Sequence, residues 1–214
     1  MTPFLLVLSS PSGGGKTSIR RQLLRVRSDV GYSVSATTRA PRPGEHEGRD
    51  YHFLSPDEFE RRVAAGEFLE HAMYGGQRYG TLVAEVERVL HAGRHVVLDI
   101  EIEGARQVRR RMPDAVQVFV LPPSAEVLAQ RLRARDTETP AARQIRLARA
   151  ADELQAVGEY DYVVVNEELG DAVSAVGAIL DAESRRVSRQ HNLAGFVETI
   201  RQGVAAAAAR LDAE

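Results

Sequence analysis

The sequence predicts an α/β fold in which helices cover both faces of a mostly parallel sheet. Short runs of Val, Ile and Leu alternate with longer amphipathic stretches, the pattern of strands joined by crossover helices. A glycine-rich turn follows the first run, and one segment, at about 32–87, breaks the alternation. With 214 residues, 43% hydrophobic and 27% charged, the chain can bury one substantial core and still carry inserted segments.

Four apolar runs are the predicted strands of this sheet. They are continuously hydrophobic rather than alternating, which is typical of parallel strands buried on both faces. A helix is predicted from Lys16 to about Arg27, and a helix follows each later run. The runs are Phe4 to Leu8, His95 to Ile100, Val116 to Leu121 and Tyr162 to Val165.

Two segments interrupt the regular alternation. Residues 32–87 are richer in Gly, Pro, aromatic and charged residues and contain strand-like pieces such as Asp50 to Leu54, which predicts a small mixed α/β lobe inserted into the parent fold. Residues 131–149 are dense in arginine and predict a mobile helical lid. The expected organisation is a single domain over 1–207, with its core at about 1–31, 95–130 and 150–190, and a C-terminal helical tail over 191–214.

Composition excludes several classes of protein. A net charge of −2 and a pI of about 6.3 argue against a nucleic-acid partner, for which a basic domain is expected. The absence of cysteine excludes disulfides and thiolate metal sites and favours a reducing compartment, the cytoplasm. No apolar run approaches transmembrane length, so no membrane partner is expected. The oligomeric state stays open.

The glycine-rich turn has the features of a phosphate-binding loop. Lys16 is the only lysine beside 27 arginines, and a lysine placed at random among the basic positions would fall here about once in 28. The pattern G-x-x-x-x-G-K-[ST] is complete except at its first position, where Ser10 stands. The turn could be only a tight strand-to-helix connection, but Lys16 and Thr17 both in register favour a P-loop NTPase-like fold. The residues expected to bind ATP are Ser12, Gly13, Gly14, Gly15, Lys16, Thr17 and Ser18, with Thr17 also on Mg²⁺.

Arg39 and Arg42 indicate a site for a second phosphate group. They lie three residues apart in a segment stiffened by Pro41 and Pro43, and their guanidinium groups are forked donors suited to phosphate. Taken alone, they could equally be surface arginines of a proline-rich loop.

The wider pattern resembles the guanylate kinase family. Residues 33–53 read S-V-S-x-T-T-R-x-P-R-x-G-E-x-x-G-x-D-Y-x-F, which is similar to the nucleotide-monophosphate lobe of that family. Similar blocks continue through the rest of the chain, so that the resemblance covers about residues 4–190. These blocks are at 68–72, 79–81, 98–101, 104–105, 121–124, 131–132, 146–147 and 160–166.

The resemblance implies a role for each matching position. Arg39, Arg42, Tyr51 and Tyr79 match residues that grip the GMP phosphate, Ser35, Glu70, Thr81 and Asp99 match residues that contact guanine, and Glu45 belongs to the same substrate-binding set. Arg131, Arg135 and Arg146 match arginines of the lid around the transferring phosphoryl group. The expected catalytic residues are Lys16, Arg39, Arg135 and Arg146; Arg131 and Asn166 join the ATP site; Glu101 is expected to serve both substrate and Mg²⁺.

The chain departs from the family pattern at a few places. The family motif is often D-I-D-x-Q-G, whereas residues 99–104 read D-I-E-I-E-G. Glu101 is longer than the usual Asp and Glu103 is an extra carboxylate, so the motif leaves open which of these residues binds guanine and which binds the metal. Asp136 stands where relatives commonly have Gly, and it could tether a lid arginine.

The resemblance implies a kinase that uses ATP and Mg²⁺ to phosphorylate GMP, and dGMP with it, to the diphosphate. Two alternatives are a non-catalytic guanylate-kinase-like interaction module, which typically has a damaged phosphate loop, and a kinase of the same fold acting on another phosphorylated acceptor, which should lack the guanine-contacting set. Both the loop and that set are intact here.

Overall fold

The structure is a computed structural model and describes residues 2–133 and 140–211. Within these ranges the strands are β1 (Leu5–Ser9), β2 (Val30–Tyr32), β3 (Ala36–Thr37), β4 (His52–Phe53), β5 (Phe68–Tyr74), β6 (Gln77–Leu82), β7 (His95–Asp99), β8 (Val116–Leu121) and β9 (Tyr162–Val165). The α-helices are α1 (Lys16–Val26), α2 (Pro56–Ala64), α3 (Val83–His91), α4 (Ile102–Arg111), α5 (Ala125–Arg133), α6 (Pro140–Leu154), α7 (Leu169–Ser184) and α8 (Leu193–Leu211), and short 3-10 helices span Gln155–Glu159 and Val187–Arg189.

A five-stranded parallel sheet forms the centre, in the order β2-β7-β1-β8-β9. Because successive side chains of a strand point to opposite faces, β1 contributes to two hydrophobic clusters. Leu6 and Leu8 pack with α1 and α7, whereas Leu5 and Val7 pack with α3 and α4. Helices therefore bury both faces of the sheet, which confirms the predicted fold class.

The four predicted strands are present with ends within one residue of the apolar runs, but β2 is a fifth strand. It has three residues and lies at the edge of the sheet, paired with β7 through Tyr32 and Val97. Its short sequence, Val-Gly-Tyr, carries no periodicity that distinguishes a strand from a loop. Tyr32, where the sequence suggested that the inserted lobe begins, is the last residue of β2.

The inserted segment forms a second, mixed sheet in the order β4-β3-β6-β5. β3 pairs in parallel with β4 and antiparallel with β6, and β5 and β6 form an antiparallel hairpin. A small core of its own holds this lobe together, made of Ala36, Phe59, Phe68 and Leu82. The mixed lobe expected from the sequence is thus present.

Helix α4 joins the two sheets. The side-chain amide of Gln107 accepts a hydrogen bond from the His71 backbone N–H at 3.0 Å and donates one to the His71 carbonyl at 2.9 Å. The Arg111 side chain donates to the carbonyl oxygen of Phe68. Leu69 packs into the same cluster as β1 and β7. These contacts fix where β5 stands relative to the parallel sheet.

The last helix, α8, is almost wholly exposed. None of the helices in the described ranges is both long and apolar enough to cross a membrane.

His95, the first residue of β7, is buried and makes the free energy of unfolding depend on pH. Its Nδ1 accepts a hydrogen bond from the backbone N–H of Phe4 at 3.2 Å, and its Nε2 lies 3.3 Å from Ser184 Oγ. Burial lowers the pKa of His95 below its ordinary value of 6.5; Arg27 and Arg189 lower it further, whereas Asp29 and Asp181 act to raise it. The ring therefore stays neutral to a lower pH in the folded protein than in the unfolded chain.

We predict that the free energy of unfolding falls as the pH drops below about 6.5, because the unfolded chain then binds a proton that the folded chain does not. A His95→Gln variant should lose less stability between pH 7 and pH 5 than the wild type. Urea unfolding at both pH values measures this, and an equal loss in the two proteins would contradict the prediction.

Candidate active site

The phosphate loop connects β1 to α1 in a conformation that requires glycine. Gly15 precedes Lys16 with φ of +99°, and a Cβ on it would lie 2.2 Å from Asn166 Nδ2. No other residue fits both the left-handed backbone and the contact. Helix α1 begins at Lys16, so its N-terminal N–H groups face the loop, an arrangement that favours bound phosphate.

Asn166 and Arg131 support the loop from β9 and α5. Asn166 Nδ2 donates to the Gly14 carbonyl at 2.9 Å, and Arg131 Nη2 donates to the Asn166 carbonyl at 2.9 Å. Nη1 of Arg131 is buried and has no hydrogen-bond partner among the described residues. These two predicted ATP-site residues lie behind the loop, where they hold its shape.

Side chains of α1 meet the carboxylates at the end of β7. Lys16 Nζ donates to Glu101 Oε1 at 2.9 Å, and Thr17 Oγ1 donates to Asp99 Oδ2 at 2.7 Å. Nε of Arg20 lies 3.2 Å from Asp99 Oδ1. The contact follows from topology: β1 and β7 are parallel neighbours with Leu8 opposite Asp99, so the loop after one strand meets the end of the other.

Glu70 is a buried carboxylate on the other side of the site. A register shift in β5 between Phe68 and Glu70, of the β-bulge kind, sets Glu70 opposite Thr81. The Thr81 hydroxyl donates to Glu70 Oε1 at 2.7 Å, and burial raises the pKa of Glu70 above its ordinary value. No cation pairs with Glu70 in the described part of the chain, so its acceptor capacity is left for another donor.

Gly104 makes room for the Glu70 carboxylate. A Cβ on Gly104, in the first turns of α4, would lie 2.6 Å from Glu70 Oε2. The sequence analysis gave Gly104 no such role, since the residue is far from Glu70 along the chain.

One of the two arginines expected to bind the second phosphate, Arg39, is already engaged. Its Nη2 donates to both carboxylate oxygens of Glu45, at 2.8 and 2.9 Å. At Arg42 it is the backbone N–H that donates to Glu45 Oε2, at 2.8 Å. The ring centroids of Tyr51 and Tyr79 are 6.1 Å apart, and the Arg39 guanidinium lies 5.4 Å from the Tyr51 ring centroid. A carboxylate thus occupies forked donors of the kind that bind phosphate.

Helix α6 reaches the phosphate loop through Ser12. Arg146 Nη2 donates to Ser12 Oγ at 2.9 Å, and the Ser12 N–H donates to Glu153 Oε2 at 2.9 Å. Arg149 Nε donates to Glu153 Oε1 at 2.8 Å. The sequence analysis missed Glu153 and its partner Arg149, and the predicted residue Arg135, like Asp136, lies outside the described residues.

A single cavity of about 610 Å³ brings most predicted site residues together. Its size is that of a small-molecule site. Seven predicted residues do not line it, namely Gly14, Arg39, Arg42, Glu45, Thr81, Arg131 and Asn166. The predicted residues that line it are Ser12, Gly13, Gly15, Lys16, Thr17, Ser18, Ser35, Tyr51, Glu70, Tyr79, Asp99, Glu101 and Arg146.

The donors beside the loop fit magnesium better than a tightly chelated metal. Among the described residues, no cluster of three or more His, Cys, Asp or Glu side chains can hold a metal ion. What meets at the loop is one hydroxyl, Thr17, and two carboxylates, Asp99 and Glu101. A few hard oxygen donors suit Mg²⁺, which keeps several waters and takes other ligands from substrate phosphates.

The family resemblance implies that Glu70 contacts the guanine of GMP, so we predict that Gly104→Ala weakens GMP binding without destabilising the protein. The new methyl group displaces the Glu70 carboxylate, so the KM for GMP should rise about tenfold, the effect of one lost charged hydrogen bond. The helix itself should gain up to about 1 kcal/mol, because Ala is the better helix former.

Steady-state kinetics and thermal unfolding check this prediction, with Gly203→Ala as the control. Gly203 lies within α8 and has open space around the position of its missing Cβ. An unchanged KM for GMP in a folded Gly104→Ala protein would show that this glycine has no part in placing Glu70.

A phosphate loop facing two carboxylates, beside an inserted lobe that lines the same cavity, defines a P-loop phosphotransferase. Comparisons with known proteins specify the family. A family model described as guanylate kinase matches residues 3–183. The chain belongs to the guanylate kinase family, as its motifs suggested.

Individual relatives agree with this assignment. The guanylate kinase of Sphingopyxis alaskensis is 48% identical over 201 residues, which cover 94% of this chain and 91% of the relative. That of Symbiobacterium thermophilum is 50% identical over 196 residues and 92% of each chain. The crystal structure of guanylate kinase from Anaplasma phagocytophilum matches with a TM-score of 0.74 at 36% identity, covering 92% of this chain and 95% of the other.

Proposed function

We propose that this chain transfers the γ-phosphoryl group of ATP to GMP, and to dGMP, giving ADP and the guanosine diphosphate. The observation that carries the proposal is the pairing, in one cavity, of Lys16 at the phosphate loop with Glu70, a buried carboxylate that no cation of the described residues neutralises. The first suits a nucleotide phosphate, and the second suits a base rich in N–H donors.

Guanine complements Glu70 chemically. It presents N1–H and the amino group on C2, both donors, to a carboxylate, whereas adenine has no N1–H and no amino group on C2. When adenine binds, the buried carboxylate is left without hydrogen-bond donors, and this cost strongly disfavours adenine. Ser35 adds a hydroxyl to the cavity wall, whereas Thr81, which does not line the cavity, holds the Glu70 carboxylate by donating its hydroxyl to it. Asp99 adds a second carboxylate, which accepts a hydrogen bond from Thr17.

The GMP phosphate is assigned to Arg39, Arg42, Tyr51 and Tyr79. In the structure Glu45 occupies the Arg39 fork, so the phosphate either replaces the Glu45 carboxylate there or takes the remaining donors while Glu45 holds the arginine in place. Both options keep Glu45 in the substrate-binding set.

Phosphoryl transfer needs positioning and charge stabilisation more than covalent help from the protein. Lys16 moves from Glu101 to the phosphates, the loop N–H groups hold the β-phosphate, and Arg146 and Arg39 act on the transferring group. Mg²⁺ would arrive with ATP and supply further charge neutralisation, and Thr17 and Glu101 would hold it. The lid that the family resemblance implies over 131–149 would exclude water and so prevent transfer to it, but its residues 134–139, Arg135 among them, lie outside the described residues.

The cytoplasm, where ATP and GMP are both supplied, is the proposed location. The intact phosphate loop and the intact Glu70–Thr81 pair also disfavour a non-catalytic interaction module of the same fold.

We predict that Lys16→Met lowers kcat by at least about 1,000-fold while the protein stays folded. The ammonium is the phosphate-facing cation, and the side chain forms an ion pair with Glu101 and belongs to no hydrophobic cluster of the described residues. Circular dichroism and a coupled assay of ADP release measure the two properties. Turnover above a tenth of the wild-type rate in the folded variant would exclude the mechanism.

The test of the function is ADP release with GMP, dGMP, AMP, CMP and UMP as acceptors, for the wild type and for Glu70→Gln. The wild type should prefer GMP and dGMP. Glu70→Gln should raise the KM for GMP by about 10- to 100-fold and so reduce the ratio of kcat/KM for GMP to kcat/KM for AMP. A wild type that prefers another acceptor would overturn the proposed function.

Stability separates loss of function from loss of fold in Glu70→Gln. The raised pKa of Glu70 means that its contribution is favourable at low pH and is lost as the pH rises through the folded-state pKa. At pH 8 the amide avoids the buried charge, so Glu70→Gln should unfold at the same temperature as the wild type or at a higher one. Weak GMP binding in a protein of undiminished stability assigns the effect to base recognition.

A further inference from the structure

Arg20 lies in the site without a role in the proposed reaction. It follows Lys16 by one turn on the same face of α1, and its Nε is 3.2 Å from Asp99 Oδ1. The opposite oxygen, Asp99 Oδ2, accepts the hydrogen bond from Thr17. The carboxylate is therefore held from two sides, by a hydroxyl and by a guanidinium.

A second contact fixes the guanidinium itself. The central carbon of the Arg20 guanidinium lies 4.1 Å from the ring centroid of Tyr32, a cation–π distance. Tyr32 stands on β2, the edge strand paired with β7, which brings its ring to the Asp99 end of the sheet. A planar guanidinium can stack on the ring and keep its charge beside the carboxylate, and an ammonium cannot do both. The contact with Asp99 is an ion pair: Arg20 Nε is buried and has no hydrogen-bond partner among the described residues.

The two acid–base pairs beside the loop differ in exposure. The side chains of Arg20 and Asp99 are 13% and 12% exposed, whereas Glu101, the partner of Lys16, is 39% exposed. Water screens the Lys16–Glu101 pair more and can solvate Glu101 once Lys16 leaves. The Arg20–Asp99 pair is enclosed, and separating it would leave a carboxylate with little access to water.

We propose that Arg20 is a positioning residue, which holds the Asp99 carboxylate against Thr17 and so prevents Asp99 from capturing Lys16. The inference rests on the proposed use of Lys16 as the ATP-phosphate ligand. Without Arg20, Asp99 keeps only the Thr17 hydroxyl, and Lys16, one turn earlier on the same helix face, is the cation that can neutralise it. Lys16 would then have two carboxylates competing with the nucleotide.

The test is the Kd for a non-hydrolysable ATP analogue with Mg²⁺, measured by calorimetry without any acceptor. Arg20→Leu should raise the Kd roughly tenfold, because the enclosed ion pair that restrains Asp99 is lost. Arg20→Lys should recover part of the affinity, since it restores the charge without the stacking.

Tyr32→Leu should also raise the Kd, but by less than Arg20→Leu does, and it serves as the second variant where Arg20→Leu fails to fold. Arg25→Leu, an exposed arginine of the same helix, is the matched control and should bind normally.

A coupling measurement separates positioning from a general structural role. In an Asp99→Asn background the carboxylate that Arg20 restrains is gone, so Arg20→Leu should have no further effect on the Kd. An equal loss of affinity in both backgrounds, or a wild-type Kd in folded Arg20→Leu, would overturn the proposal. Because no acceptor is present, either result is distinguishable from a failure of the GMP assignment.

Discussion

The arrangement of the site depends on the adjacency of β1 and β7 in the parallel sheet. Leu8 lies opposite Asp99, so the loop that follows β1 opens directly beside the carboxylates that follow β7. Lys16, Thr17 and Arg20 of α1 can then all reach Asp99 or Glu101. Two cations, Lys16 and Arg20, therefore lie beside two carboxylates, Asp99 and Glu101, and their charges balance before any nucleotide binds. Under the proposed function, Lys16 exchanges a carboxylate for the nucleotide phosphates when ATP binds.

Helix α4 connects the phosphate loop region to Glu70 in the inserted lobe. It begins beside Glu101, makes room for Glu70 at Gly104, and bonds to β5 through Gln107 and Arg111. The distance between the phosphate loop and the buried carboxylate is thus set by one rigid element. Burial raises the pKa of Glu70, so its charged form is unfavourable to the fold. Under the proposed function this loss of stability is the cost of a carboxylate that recognises the base.

The sequence predicts the local parts of this structure and misses the long-range ones. The phosphate loop and four of the parallel strands follow from glycine spacing and apolar runs, which are local signals. The contacts of Arg20 with Asp99 and Tyr32, and of Glu153 with Ser12, join residues far apart in the chain, and no periodicity reports them. The bulge before Glu70 is likewise invisible in sequence, because it depends on the register with β6. The pairing of Arg39 with Glu45 had a local basis, and the sequence analysis named both residues without predicting their contact.

The exchange of partners at Lys16 can be observed directly, because Lys16 is the only lysine of the chain. Protein labelled with carbon-13 at the lysine Cε gives one side-chain signal by NMR. That signal should shift when a Mg²⁺-bound ATP analogue saturates the protein. Glu101→Gln should alter the signal of the nucleotide-free protein and leave that of the complex close to the wild-type position. A signal that does not move on nucleotide binding would contradict the central claim that Lys16 leaves Glu101 for the phosphates.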